Sequence, residues 1–329
     1  MSGSSKNSLA GGARQLGSTG LTASRLGYGA MELYGAPRAR GISEAEAGRL
    51  LNRIVDAGIN YIDTSIDYGV SEVLIGKALS HRRGDFLLAS KCGCAVGLEP
   101  GYHGHEDHDF SPANIVAGVE QSLRRLKTDH LDAVQVHGNP TRKELEDIGA
   151  IDALVKLKQK GDVRFIGISS RLPNLADFVD ADYFDVIQVP YSALQRTNED
   201  VIAALRASGK AIVVRGVTGR GAPAKDWATR PIGTSDGEVR ERWEGAKLDD
   251  LLGGMSRLEF MIRFALANEN IDIALVATTN EAHLLDDIAI AAKGPLDAAI
   301  VAEARARLDA IGAGAGQGKY KGGGPTPVL

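Results

Sequence analysis

A closed (β/α)₈ barrel of the TIM type, built as one domain, is the fold this sequence predicts. Three observations predict it: eight short apolar runs rich in β-branched residues, longer helix-spaced stretches between them, and little polar alternation within the runs. Strands apolar on both faces belong to a parallel sheet wrapped by helices. Repeated eight times, that unit fits one closed barrel of about 250 residues. A doubly wound open sheet is the rival, and it would place a glycine-rich turn leading into a helix after its first strand. Here that turn reads GYGAMELYGA, which does not continue as a helix.

The first strand lies near SRLGYGA. Ser43 with Glu46 fits a capping box at the head of SEAEAGRLLNRIVDAG, whose apolar residues recur at spacings of three and four before a terminal glycine. NYIDT is the second strand, Ser71 is placed as the N-cap of the next helix, and FLLASK is the third strand. SPANIVAGVEQSLRRL, LDAVQVH, ELEDIGAIDALVKLKQKG (read as one helix), VRFIGISS and DVIQVP continue the alternation. Asn198 caps NEDVIAALRASG, and AIVVRG is the seventh strand. The connection from Arg220 to about Gly254 is too long for a simple turn, and beside a barrel mouth such an insertion can cover a cofactor or shape a pocket. A second capping box, Ser256 with Glu259, precedes the eighth strand, IDIALVA, and Asn280 is placed as the N-cap of a helix after that strand.

With 329 residues, 43% hydrophobic and 24% charged, the chain can bury a large core. A net charge of -4 gives no electrostatic reason to expect nucleic acid or an anionic membrane, so the expected partner is a small molecule. The two cysteines, Cys92 and Cys94, are too close in sequence for an easy disulfide, and no apolar segment reads as a leader or a membrane span, which together point to the cytoplasm. Residues 1–13 and the glycine-rich 312–329 read as flexible tails around a single domain at 14–311. The oligomeric state stays open.

Barrel enzymes place their chemistry at the carboxyl ends of the strands. Those ends carry Asp63 and Thr64, Lys91, Gln135 and His137, Ser169 and Ser170, Gln188, Arg215, then Thr278 and Thr279, whereas the opposite ends begin with ordinary surface residues such as Asn60, Asp85 and Asp185. Neighbouring strands lie about 4.8 Å apart, so Asp63, Lys91 and His137 can meet. Tyr68, on the loop five residues after Asp63, can fold back toward Lys91. A phenol titrates near 10, and a lysine beside it favours the phenolate that proton transfer near neutrality requires. His137 can polarise or orient a substrate carbonyl. Taken singly, each residue has a bland role as turn cap, rim lysine or satisfied histidine; three converging strand ends make the joint reading the better one.

At these residues the chain resembles the aldo-keto reductases, from roughly Arg14 to Ile311. RQLGSTGLTASRLGYGAM is similar to that family's opening hairpin and first strand, DTSIDYGVSEVLIGKAL to its Asp and Tyr segment, LASK to its lysine strand and SLRRLKTDHLDAVQVH to its histidine strand. The resemblance implies Asp63, Tyr68, Lys91 and His137 as a catalytic tetrad that serves hydride transfer between NAD(P)(H) and a carbonyl or alcohol, with Tyr68 as general acid in reduction. It implies cofactor contacts from Gly29, Ala30 and Met31, from Asp63, Ser169, Ser170 and Gln188, and from Arg215, Gly216, Val217, Thr218, Gly219 and Gly221. Arg215 stands where the family often stacks an aromatic ring on the nicotinamide, and a planar guanidinium can do the same. Thr278, Thr279, Asn280, His283, Asp286 and Asp287 match the segment that holds the adenosine end. There Ala277 and His283 replace frequent cations and two acids are added, so NAD(H) is admitted, while family habit places NADP(H) slightly ahead.

YHGHEDHDF offers His103, His105 and His108, but a hydrophilic loop with no further anchor reads as solvated, and no metal is expected. Tyr34, His103, Phe110, Tyr191, Trp227 and Trp243 are candidate pocket walls. Two other functions compete with hydride transfer: a lyase with a Lys91 Schiff base, which needs a neutral amine, and a nicotinamide-binding regulatory subunit with little turnover.

Overall fold

The computed structural model describes residues 8–35, 41–96, 108–219 and 235–316. Two short antiparallel strands, β1 (Ala13–Gln15) and β2 (Thr22–Ser24), form a hairpin ahead of the barrel. Eight parallel strands then close on themselves: β3 (Leu26–Gly29), β4 (Tyr61–Asp63), β5 (Leu87–Cys92), β6 (Leu131–His137), β7 (Val163–Ser169), β8 (Val186–Pro190), β9 (Ala211–Arg215) and β10 (Ile273–Val276), the last pairing with β3.

Helices wrap the outside: α1 (Glu44–Asp56), α2 (Ser71–Leu79), α3 (Pro112–Leu126), α4 (Arg142–Asp147), α5 (Ala150–Lys160), α6 (Glu199–Ala207), α7 (Ser235–Gly245), α8 (Arg257–Leu266), α9 (Glu281–Ala292) and α10 (Ala298–Ala310). The single helix expected over ELEDIGAIDALVKLKQKG is two, because Gly149 takes a φ of 79° between α4 and α5. Between β7 and β8 the cover is only a 3₁₀ turn, Asn174–Phe178, which buries Leu175 and Phe178. After β3 the chain makes a 3₁₀ turn at Ala30–Tyr34, short of the α-helix a doubly wound sheet would need. The long connection contains α7 and a further 3₁₀ turn, Leu248–Leu251.

The capping expectations hold in part. Ser43 and Glu46 form the full box, whereas Ser256 caps Glu259 N while the Glu259 carboxylate turns to Arg263 and Lys293. Ser71 does not cap α2; it is the first helical residue, and its hydroxyl donates to Ala30 O and meets Thr64 Oγ1. Asn198 occupies the cap position of α6, but its amide bridges Leu172 N and Pro190 O instead.

Two apolar layers result. The larger fills the space between strands and helices. The smaller lies inside the barrel and consists of Tyr61, Ala89, Ala133, Val186, Ala211, Val213, Ile273 and Leu275, closed at the amino-terminal end by Leu16 and Ala23 of the hairpin. That end is not the ordinary surface the sequence suggests. Buried Asp132 accepts from Arg83 at 2.6 Å, Arg164 at 2.7 Å and Leu88 N at 2.9 Å. Buried Asp272 accepts from Ile212 N, Gly17 N, Arg206 and Arg14, so it ties β9 to the hairpin. Parts of both expected tails pack on the barrel as well: Ala10 N donates to Gly58 O, Ala313 is buried and Gly316 N donates to Thr197 O, because small residues there meet backbone acceptors at close range.

Candidate active site

The two-residue period of a strand builds the site. Tyr61, Ala89, Ala133, Val186 and Val213 point into the barrel, so the residues two further on, Asp63, Lys91, Gln135, Gln188 and Arg215, point inward one layer higher, followed by His137. Register pairs Lys91 with Gln135, His137 with Ser169, and Ser169 with Gln188.

Lys91, 1% exposed, donates from Nζ to Asp63 Oδ2 at 2.7 Å and to Thr64 O at 2.7 Å. The other Asp63 oxygen accepts from Gln188 Nε2 at 2.8 Å and Gln135 Nε2 at 3.3 Å, and Ser169 Oγ donates to Gln188 Oε1 at 2.8 Å. Burial alone would lower the Lys91 ammonium, but Asp63, with Tyr68 and Asp67, holds it above its ordinary value. A charge so enclosed is tolerable only because partners surround it.

Tyr68 sits on the loop between β4 and α2, where the next residue, Gly69, has a φ of 51° and passes so close to Tyr34 that a Cβ would stand 2.3 Å from its carbonyl oxygen. This turn brings the Tyr68 ring under Lys91, with Nζ 4.7 Å from the ring centroid, and sets it edge-on to the His137 ring at 6.1 Å. Burial pushes the Tyr68 phenol above its ordinary value; Lys91 and Arg215 pull against that shift, while Asp63 and Asp67 add to it. The net sign departs from the phenolate expected beside a lysine, and it leaves Tyr68 protonated, the form a proton donor requires. His137 Nδ1 lies 3.1 Å from Cys94 Sγ and 3.4 Å from Asp67 Oδ1. The tetrad residues therefore converge.

The expected cofactor residues fall in two groups. Ser169, Gln188 and Arg215 stand beside the tetrad, and Gly216, Val217, Thr218 and Gly219 form the turn after β9; Gly221 lies outside the described residues. Gly29 ends β3, and Ala30 and Met31 start the following turn. The Ser170 hydroxyl donates to Asn139 Oδ1 at 2.5 Å, and that oxygen also accepts from Arg171 N. Asn139 went unnoticed in the sequence, although its place just past β6 marks it as a strand-end polar residue. Thr278, Thr279 and Asn280 link β10 to α9, with Asn280 Oδ1 capping Ala282 N. His283 and Asp286 are exposed, while Asp287 is buried in the inner face of α9.

Unmet polar atoms test whether a dinucleotide fits. Among the described residues, Gln135 Oε1 at the tetrad and Asp287 Oδ1 on α9 are buried without hydrogen-bond partners. Such atoms are costly unless something binds them, and an amide and ribose hydroxyls are suitable donors. Of the wall candidates, Phe110 packs beside His108 near the site, and Tyr34 backs the Tyr68 loop. Trp243 and Tyr191 do not line a pocket: both are fully buried, bonded to Asp249 and Glu199. His103 and Trp227 lie outside the described residues.

A family model described as Aldo/keto reductase family matches residues 25–309. The chain belongs to that family. This aldo/keto reductase is 34% identical over 213 residues to the uncharacterized oxidoreductase YqkF of Bacillus subtilis, a match covering 63% of the chain and 65% of that relative, short of two thirds of its length. It is 29% identical over 299 residues to L-galactose dehydrogenase of Arabidopsis thaliana, covering 84% and 86% of the two chains. The holo form of aldo-keto reductase AKR11C1 from Bacillus halodurans superposes with a TM-score of 0.77 at 29% identity, covering 94% and 98%. The family is one of oxidoreductases that use nicotinamide cofactors and small-molecule substrates. Among the described residues no helix is long and apolar enough to cross a membrane.

Proposed function

We propose that this protein transfers a hydride between NAD(P)(H) and a carbonyl or alcohol group of an aldehyde, ketone or sugar, with Tyr68 as the proton donor in reduction. The observation that carries this reading is Lys91 locked to Asp63 at 2.7 Å while its ammonium lies 4.7 Å from the Tyr68 ring centroid. A bound nicotinamide cofactor would supply or accept the hydride. Tyr68 gives its proton to the carbonyl oxygen, Lys91 stabilises the phenolate left behind, and His137 orients the oxygen. Ser169, Gln188 and Arg215 would hold the ring end of the cofactor. A Lys91 Schiff base is disfavoured, since an ammonium held above its ordinary value beside a carboxylate is a poor source of neutral amine.

At the adenosine end, Asp287 is pushed up to about 7 by burial and by Asp286. Partly protonated near neutrality, Asp287 adds little repulsion of its own, but the exposed Asp286 carboxylate beside it would repel a 2′-phosphate and offers no cation to hold one, which favours NAD(H) over the NADP(H) that family habit suggests. Nicotinamide absorbance with both cofactors and a panel of aldehydes, ketones and sugars tests the whole reading. Tyr68→Phe is expected to lower kcat by about 10²–10⁴-fold while cofactor binding, followed by fluorescence quenching, persists; full turnover in that variant would remove Tyr68 from the reaction.

A further inference from the structure

Three segments bring soft and borderline ligand atoms together on the far side of His137. Cys94, just past β5, forms an isolated antiparallel bridge with His108, and His137 ends β6. One ligand atom from each of the three lies within 4.8 Å of the other two. Cys94 Sγ is 3.1 Å from His137 Nδ1, and the His108 and His137 rings meet edge to face with centroids 5.8 Å apart. The surrounding backbone is pinned. Asp109 N donates to Gly93 O at 2.9 Å, and the Asn114 amide donates to Cys94 O at 3.0 Å and to Asp109 O at 2.7 Å. Gly138, with a φ of 116°, leaves room for His108, whose ring a Cβ there would approach to 3.2 Å, and Phe110 stacks on the other side of that ring.

We propose that Cys94, His108 and His137 form a binding site for one borderline divalent cation of the zinc class. Zinc bonds of about 2.0–2.1 Å to nitrogen and about 2.3 Å to sulfur put tetrahedral neighbours roughly 3.3–3.7 Å apart. The three ligand atoms, already within 4.8 Å of one another, would draw together by about an ångström on binding. A sulfur and two imidazole nitrogens select zinc over magnesium or calcium, which prefer oxygen. Water or the Asp67 carboxylate, 3.4 Å from His137 Nδ1, supplies the fourth ligand. On binding, the Cys94 S–H bond breaks, its proton passes to solvent, and the sulfur electron pair forms the metal–sulfur bond with no change of oxidation state. The site departs from the metal-free reading of the histidine-rich loop, because it uses only His108 from that loop and takes its other ligands from two strand ends.

Coordination through Nδ1 fixes the tautomer in which the other ring nitrogen of His137 carries the proton offered to the substrate oxygen, so an occupied site is coupled to carbonyl reduction. That consequence rests on the proposed function, whereas binding itself does not. Competition of metal-free full-length protein with a chromophoric zinc indicator measures stoichiometry and affinity, and Co²⁺ reports tetrahedral geometry and a sulfur-to-cobalt absorption band. One zinc per chain is expected. Cys94→Ser and His108→Ala should each weaken it at least as much as the roughly 10–100-fold that loss of a supporting residue costs a metal site, and Cys94→Ser should abolish the sulfur band. His108 is exposed, so its variant keeps the fold, which circular dichroism verifies. No bound zinc, or unchanged affinity in both variants, overturns the site. Because this readout needs no turnover, it stands or falls apart from the hydride-transfer reading.

Discussion

Lys91 is the residue where burial and charge oppose each other most directly. Replacing it by Met leaves the Asp63 carboxylate buried without its cation, which should cost about 3–5 kcal/mol in urea melts; adding Asp63→Asn should restore part of that loss, since the amide carries no charge to strand. Asp287 offers a pH test. A carboxyl pushed up from 3.8 to about 7 on folding holds its proton more tightly in the native state. Its contribution therefore weakens the fold as pH rises from near 4 through 7, by roughly 4 kcal/mol at most. Urea midpoints of Asp287→Asn should lack that slope, and an unchanged slope would locate it elsewhere. The meeting of Asp63, Lys91 and His137 was legible in the sequence because each is a polar residue near the carboxyl end of an apolar strand run. Asn139 and Asp287 were harder, since what distinguishes them is a missing or borrowed partner, and partners are set by packing.

At the scale of elements, the strands could be read closely because a run apolar on both faces has few other destinations. Helix limits were less legible. Gly149 divides a periodic stretch into α4 and α5 by adopting a left-handed conformation that sequence permits without requiring. Ser71, a good N-cap by type, is drawn instead to Ala30 O, a partner 41 positions away. Gly167 in β7 shows how tightly elements meet: a Cβ there would stand 1.9 Å from Val186 O in β8. Gly167→Ala should therefore part these strands, lowering stability by about 3 kcal/mol or more and loosening Ser169 and Gln188 together. A normal thermal midpoint in that variant would mean the two strands have slack.

Across the whole molecule, the barrel was predictable from counting, but how its lower end is sealed was not. Arg14, Gly17, Arg206 and Ile212 come from distant parts of the chain, and only the folded structure gathers them on Asp272. Asp272→Ala strands those donors and should cost about 3–5 kcal/mol, with hydrogen exchange rising first across Ala13–Ser24; protection unchanged there would show the hairpin is held by its apolar contacts alone. The Cys94, His108 and His137 cluster was illegible for the same reason, being a meeting of two strand ends and a loop with no common spacing. Leu16 and Ala23 fill the lower end of the cylinder, so the hydride-transfer reading proposed above would have cofactor and substrate both approach from the opposite rim.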